Sequence, residues 1–141
     1  MYLVVQSLPD PYFHTPEMSR RARGIETWAA IYALGQEGVI ELIDRCCAYA
    51  RMFAAGLKDA GFQVLNEVTL NQVLVSFGDA ARTNKVIKAI QDDGTCWCGG
   101  TVWKGVTAMC ISVSSWMTTA QDIQLCIAAI TAIANNARFP H

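Results

Sequence analysis

The stretch between Gly35 and Gly61 is the feature that most constrains the fold of this chain. Apolar residues recur there at intervals of three and four, which is the spacing of a single buried stripe on a helix. The pattern predicts a long helix from about Gln36 to Ala60, ended by Gly61 as a C-cap. Such a stripe has to be buried against a second layer of structure. The stripe consists of Val39, Leu42, Ile43, Cys46, Ala50, Phe53, Ala54 and Leu57.

A shorter helix is predicted immediately before this one. Thr15 is a suitable cap and Pro16 a suitable first helical residue, because the missing N–H of proline has no helical partner at that position. Prolines and scattered aromatic residues before this point indicate an irregular arm over residues 1–16. The predicted apolar face of the short helix, which ends at Gly35, is formed by Trp28, Ile31, Tyr32 and Leu34.

The remainder of the chain changes to the two-residue period of strands. "FQVLN" and "NQVLVSFGD" predict two strands, and "ARTNKVIKAIQDDG" predicts a short helix. "TCWCGG" and "AMCISVSS" predict two more strands, joined by the turn-rich "GGTVWKG". A final helix from Thr119 to about Ala137 opens with the capping-box pattern "TAQD". The predicted fold is therefore α+β: two N-terminal helices, then β-β-α-β-β-α, with a small antiparallel sheet covered on one face by helices.

Composition limits the classes of function. The chain has 141 residues, 52% of them hydrophobic and 16% charged, with a net charge of -1. This length fits one domain or part of a larger one. The near-neutral charge argues against nucleic acid and membrane surfaces as partners. The low charged fraction favours a surface that is partly intended for another protein or domain.

Neither a membrane span nor a secretory leader is expected. "TAMCISVSSWM" is too short to span a bilayer, and "MYLVVQSLPDP" lacks a basic leader with a long apolar stretch. The six cysteines form no CxxC pair, and His14 and His141 lie at the two ends, so we expect no zinc site. Reduced cysteines acting as small apolar residues in a cytoplasmic protein fit this pattern.

Few residues carry recognisable catalytic chemistry. We find no nucleophile elbow and no glycine-rich phosphate loop. The lysines, Lys58, Lys85, Lys88 and Lys104, each have a surface explanation, and none has the features of a desolvated Schiff-base amine.

The arginine cluster Arg20, Arg21 and Arg23 is less easily explained, because cations at the start of a helix oppose its dipole. Either Glu17 and Glu26 neutralise the cluster on a solvated face, or the arginines pair with carboxylate or phosphate groups outside this segment.

The chain resembles the carboxyl-terminal region of the group II pyridoxal-phosphate (PLP)-dependent decarboxylases, which include the aromatic amino acid, histidine and glutamate decarboxylases. The resemblance begins in "SRRARGIETWAAIYALGQEGV" and "LIDRCCAYARMFAAGL", with the arginine pair, Trp28, Gly35 and Gly38 in the family's order. It continues through "GFQVLN", "LVSFGD", "DGTCWCGGTVWKG" and "ISVSSWMTTAQDI", and so covers nearly the whole chain.

The resemblance implies that residues 17–141 are the small domain of a fold-type I PLP enzyme, and that 1–16 is a remnant of the mobile active-site loop region. The family's cofactor lysine lies in the large domain, upstream of this chain, so the parent enzyme would decarboxylate an amino acid while the isolated chain would be inactive. The expected partners are the large PLP-binding domain and a second subunit in a homodimer.

Three site residues follow from the resemblance. Tyr2, in "MYLVVQ", corresponds to a loop tyrosine that donates a proton after carbon dioxide leaves, and a phenol can do this while remaining neutral. Ser19 and Arg20 correspond to positions near the cofactor phosphate of the neighbouring subunit. A helix start and a guanidinium both suit a phosphate. The alternative for Tyr2 is an apolar anchor near the chain terminus.

One position departs from the family. Relatives usually have an arginine before "I-S-V", where it can bind a substrate carboxylate, whereas this chain has Cys110. A thiol cannot form a bidentate ion pair, so the substrate or its anchor is expected to differ, or activity to be weak or lost. Two other readings remain open: a non-catalytic dimerisation or regulatory module derived from this family, and another fold-type I PLP lyase.

Overall fold

The computed structural model describes residues 24–136 of the chain. The chain divides after Gln36 into two compact units, and the sheet lies in the second. The elements are α1 (Gly24–Asp59), β1 (Gln63–Val64), β2 (Gln72–Ser76), α2 (Ala80–Asp93), β3 (Gly99–Trp103), β4 (Val106–Ser112) and α3 (Ala120–Asn136). This is the α+β order that the sequence predicts.

Helix α1 is interrupted at Gly35, the residue at which the sequence predicts the boundary between two helices. Gly35 has φ 64° and ψ -177°, a conformation that is essentially restricted to glycine. The carboxyl end of α1 is capped as predicted, because Gly61 has φ 87° and donates its N–H to the Lys58 carbonyl. The Phe62 N–H bonds to the Leu57 carbonyl, which completes a Schellman motif.

The four strands form one antiparallel sheet in the order β1-β2-β4-β3. Strands β1 and β2 form one hairpin and β3 and β4 another, while β2 pairs with β4 across the intervening helix α2. The register places Val75 opposite Met109, and Met109 opposite Gly100. The sequence prediction of two hairpins flanking a helix is confirmed.

The predicted position of β3 is wrong. The sequence places a strand at "TCWCGG" and a turn at "GGTVWKG", but β3 runs through Gly99–Trp103 and the turn is Lys104–Gly105. Both turn residues have positive φ, 48° and 81°, as a two-residue hairpin turn requires. The two glycines resemble a turn signal, yet they lie in the strand. A Cβ on Gly100 would lie 3.6 Å from Cδ1 of Ile87, so the glycine lies where α2 packs on the sheet.

The hydrophobic core lies between one face of the sheet and the helices. It is formed by α1 from Cys46 onward, α2, α3 and the sheet residues on the Met109 face, and includes Phe53, Leu57, Val73, Val75, Val86, Ile90, Met109, Ile111, Ile123 and Ile130. The predicted α1 stripe is buried only in its carboxyl-terminal part, because Ile43 is exposed and Val39 and Leu42 are only partly buried.

Candidate functional site

The predicted site residues Tyr2, Ser19 and Arg20 lie outside residues 24–136, and so do Arg21 and Arg23. Their roles, and the account of the arginine cluster, therefore stay predictions. The division into an arm over 1–16 and a domain over 17–141 is likewise untested.

The first part of α1 presents an apolar face that is exposed. The rings of Trp28 and Tyr32 stack with centroids 5.2 Å apart and planes 21° apart, and the two residues are 63% and 77% exposed. Ile25, Ile31 and Leu34 on the same helix are exposed as well. The sequence predicts an apolar face here, and this face is exposed in the structure. Contiguous exposed apolar surface of this kind is typical of an interface.

The α+β unit contains a cleft of about 220 Å³ between the carboxyl end of β4, the segment leading into β3, and α3. It is lined by apolar side chains of the core and by hydroxyl and thiol groups. Trp97, which is 79% exposed, also lines it. The lining residues are Phe53, Cys96, Trp97, Cys98, Ile111, Ser112, Val113, Ser114, Ser115, Thr118, Asp122, Ile123, Cys126 and Ile130.

Three of the cleft residues are cysteines, and burial raises the pKa of each thiol. Desolvation raises the pKa of Cys96 to about 12, with a further contribution from the neighbouring Cys126 thiol. Desolvation likewise raises the pKa of Cys98 to about 11 and that of Cys126 above its ordinary value. At neutral pH these thiols are protonated and are weak nucleophiles.

The carboxylate at the cleft, Asp122, is committed to capping α3. Its Oδ2 accepts hydrogen bonds from the Thr119 N–H and the Thr119 hydroxyl, each 2.8 Å long. These bonds lower the pKa of Asp122, which keeps the group ionised near neutral pH. The predicted capping box is confirmed, and Asp122 is not a proton donor at neutral pH.

The lysines do not fit covalent attachment of pyridoxal phosphate. All four, Lys58, Lys85, Lys88 and Lys104, are exposed. Lys88 pairs with Asp92 at 3.0 Å, as the sequence predicts for a solvated helix face, and Lys104 lies 5.8 Å from the centre of the Trp103 ring in the hairpin turn. A lysine that forms a Schiff base needs desolvation or a neighbouring cation to favour its neutral, nucleophilic form. None of these four lysines lies in a buried pocket.

Cys110 lies in β4, a central strand, opposite Leu74 of β2 and Gly99 of β3. Its neighbours Met109 and Ile111 enter the core, so strand alternation places Cys110 on the other face of the sheet. The resemblance leads us to expect an arginine at this position, and the chain has a small thiol within the sheet instead. Cys110 therefore offers no carboxylate anchor.

Two further observations concern residues 24–136 as a whole. No group of three or more histidine, cysteine, aspartate or glutamate side chains within them is arranged to hold a metal ion. Among the helices over the same range, none combines the length and apolar character needed to cross a bilayer.

The cleft thiols are the residues that the sequence reading missed. Cys126 lies on the apolar face of α3, three residues after Ile123 and four before Ile130, which is the spacing of a helical face. Cys96 lies just after the Gly94 that caps α2, in a segment that has to return to the sheet. These signals place each cysteine near the core. Whether Cys96 and Cys126 lie near each other depends on how α3 packs, and the spacing of residues along the sequence does not give that.

No protein-family model matches the sequence, and no curated protein does. Solved structures do match. Rice (Oryza sativa) TDC with PLP and tryptamine has a TM-score of 0.73 at 18% identity, over 86% of this chain and 28% of that one. The shared fold is that of a decarboxylase segment. Catharanthus roseus tryptophan decarboxylase in complex with L-tryptophan has a TM-score of 0.72 at 15% identity, over 84% of this chain and 26% of that chain.

Mouse CSAD in apo form gives a similar match, with a TM-score of 0.71 at 16% identity over 89% of this chain and 30% of that one. These neighbours are group II PLP decarboxylases, and this chain spans less than a third of the length of each. At such identities the likeness concerns the fold alone.

Proposed function

We propose that this chain is the carboxyl-terminal domain of a PLP-dependent amino acid decarboxylase. The observation that carries the proposal is the fold: 86% of the chain superimposes on a 28% portion of rice TDC, a structure with PLP and tryptamine. The motif resemblance over nearly the whole sequence supports the same family, and it was drawn from residues rather than from the fold.

The partner of this domain is the large PLP-binding domain of the parent enzyme, and the parent is a homodimer. The stacked pair Trp28–Tyr32 and the exposed Ile25, Ile31 and Leu34 support a partner, because so many large apolar side chains on one helix are costly to leave in water. The low charged fraction of the sequence is consistent with this role.

Pyridoxal phosphate, when bound, supplies an electron sink for the electrons left on loss of a carboxylate. None of the four exposed lysines suits its covalent attachment, so we assign the cofactor lysine to the large domain and expect the isolated chain to be inactive. Within this chain, Tyr2 is the proposed proton donor, and Ser19 and Arg20 the proposed contacts to the cofactor phosphate. Cys110 cannot bind a substrate carboxylate, so the amino acid has to be held by another group.

The protein is proposed to reside in the cytoplasm, where thiols are kept reduced. The structure has all six cysteines as free thiols, two of them buried side by side in α1. A cytoplasmic location is consistent with this use of cysteine as a small apolar residue.

The proposal is tested by sequencing the transcript upstream of the Met1 codon. If the chain is part of a longer enzyme, the open reading frame should continue upstream of Met1 and encode a large domain with a His-Lys pair. A stop codon in frame with Met1 and no such segment would instead favour the runner-up, a non-catalytic dimerisation or regulatory module, which the lack of a suitable lysine also fits. An upstream frame with the lysine motif of another fold-type I lyase would support the third reading.

A further inference from the structure

We propose that Cys96 and Cys126 form a reversible disulfide that ties the segment before β3 to α3 within the cleft. Both side chains line the same cleft of about 220 Å³, and both are only partly buried, so a small molecule entering the cleft can reach them. Each thiol also contributes to the pKa of the other, as neighbouring groups do. The inference is independent of the proposed function.

The other four cysteines are less suited to this pairing. Cys46 and Cys47 are buried in α1 and do not line the cleft. Cys98 lines the cleft but is only 3% exposed and belongs to the core. Cys110 is partly exposed, yet strand alternation places it on the opposite face of the sheet. Cys96 and Cys126 alone among the six combine partial exposure with a place in this cleft, and each contributes to the pKa of the other.

The oxidant we name is a small dialkyl disulfide of the glutathione class. The Cys126 thiolate attacks one sulfur of that disulfide and breaks its S–S bond, and the released thiolate takes up a proton. The Cys96 thiolate then attacks the Cys126 sulfur of the mixed disulfide and expels the second small thiolate, which is also protonated. Two protein thiols lose two electrons and two protons in total, and the small disulfide becomes two thiols.

The order of attack follows from the interaction between the two thiols. It raises the pKa of Cys96 and lowers that of Cys126, which favours the thiolate of Cys126 over that of Cys96. Cys126 is therefore the first nucleophile and Cys96 the resolving thiol. Because burial raises both pKa values, formation is slow at neutral pH and accelerates about tenfold per pH unit while the thiols remain mostly protonated. In a reducing compartment the bond would be transient, as is usual for redox-sensing disulfides there.

The test is to incubate the 141-residue chain with oxidised glutathione, block remaining thiols, and map the peptides. Trypsin cuts after Lys104 and chymotrypsin after Trp97 and Trp116, so together they separate Cys96, Cys98, Cys110 and Cys126 from one another. We expect two of the six thiols to be lost, and a peptide pair joined through Cys96 and Cys126 that dithiothreitol releases. This readout uses the unmodified chain and does not depend on a variant folding.

Variants add a second readout. Cys96→Ser and Cys126→Ser should each abolish the crosslink, and Cys96→Ser should leave glutathione attached at position 126. Cys110→Ser, a matched thiol-to-hydroxyl change on the other face of the sheet, should keep the crosslink. The proposal is overturned by a crosslink through Cys98 or Cys110, by a lasting glutathione adduct on Cys126 in the unmodified chain, or by no loss of thiols.

Discussion

Gly56 controls how closely α1 approaches α3. A Cβ at this position would lie 2.7 Å from Cδ1 and 3.1 Å from Cγ2 of Ile127, closer than packed carbon atoms allow. The glycine is therefore explained by packing, although it lowers the helix propensity of α1 by about 1 kcal/mol relative to alanine. This packing role cannot be predicted from the sequence, because a glycine within a helical pattern indicates only a lower helix propensity.

We predict that Gly56→Leu destabilises the fold by about 1–3 kcal/mol, because the added side chain displaces Ile127 from a packed contact. Ala55→Leu is the matched control: it adds similar volume at the preceding, exposed helix position and should change the free energy of unfolding by less than about 0.5 kcal/mol. Urea unfolding measures both. Equal midpoints for the two variants would contradict the assigned contact.

The cleft thiols predict how stability depends on alkaline pH. Cys96 has a pKa of about 12 in the folded chain against 9.0 for an unperturbed thiol, so the folded state favours its protonated form. This contribution is fully present below about pH 9 and is lost as the pH rises from there towards about 12. The free energy of unfolding should therefore fall above about pH 9, and fall less steeply in Cys96→Ser. Urea titrations across this range test the point, and parallel curves for the two proteins would refute it.

At the scale of elements, helix ends are the part of the structure best predicted from sequence. Gly61 and the "TAQD" box each satisfy backbone groups through local bonds, so a few neighbouring residues suffice to place them. Strand β3 was misplaced because its glycines carry no alternation, and its position depends on pairing with β4 and packing against α2. Non-local partners of that kind leave no local sequence signal.

The exposed first part of α1 gives a prediction for this element alone. We expect the isolated chain to associate with itself as its concentration rises. Contact between two copies would bury the exposed aromatic side chains of this face. The double change Trp28→Gln and Tyr32→Gln should weaken this association in sedimentation velocity while leaving the unfolding midpoint nearly unchanged, since both side chains are exposed.

Leu125→Gln on α3 serves as the control, because Leu125 is exposed at a similar level but lies on another element. It should leave the association as it is in the unmodified chain. A chain that stays monomeric at every concentration, or a double variant that associates as strongly as the unmodified chain, would contradict the interface assignment.

For the whole molecule, periodicity and capping predicted the α+β order and the antiparallel hairpins, and the decarboxylase fold of the solved neighbours agrees with the resemblance seen in the motifs. The site was far less predictable. Its proposed residues Tyr2, Ser19 and Arg20 were assigned by resemblance and lie outside residues 24–136. The cleft thiols come together only when α3 packs against the segment before β3. A site assembled from distant segments, or shared with another domain, leaves little trace in local spacing.

We propose that this chain is a partial enzyme whose cofactor-holding lysine belongs to another domain. The most direct measurement is to mix the purified chain with pyridoxal phosphate, reduce with borohydride and locate any phosphopyridoxyl group by mass spectrometry. The account predicts only sparse labelling, spread over the exposed lysines Lys58, Lys85, Lys88 and Lys104. One stoichiometric adduct on a single lysine, with a visible absorbance band before reduction, would contradict it.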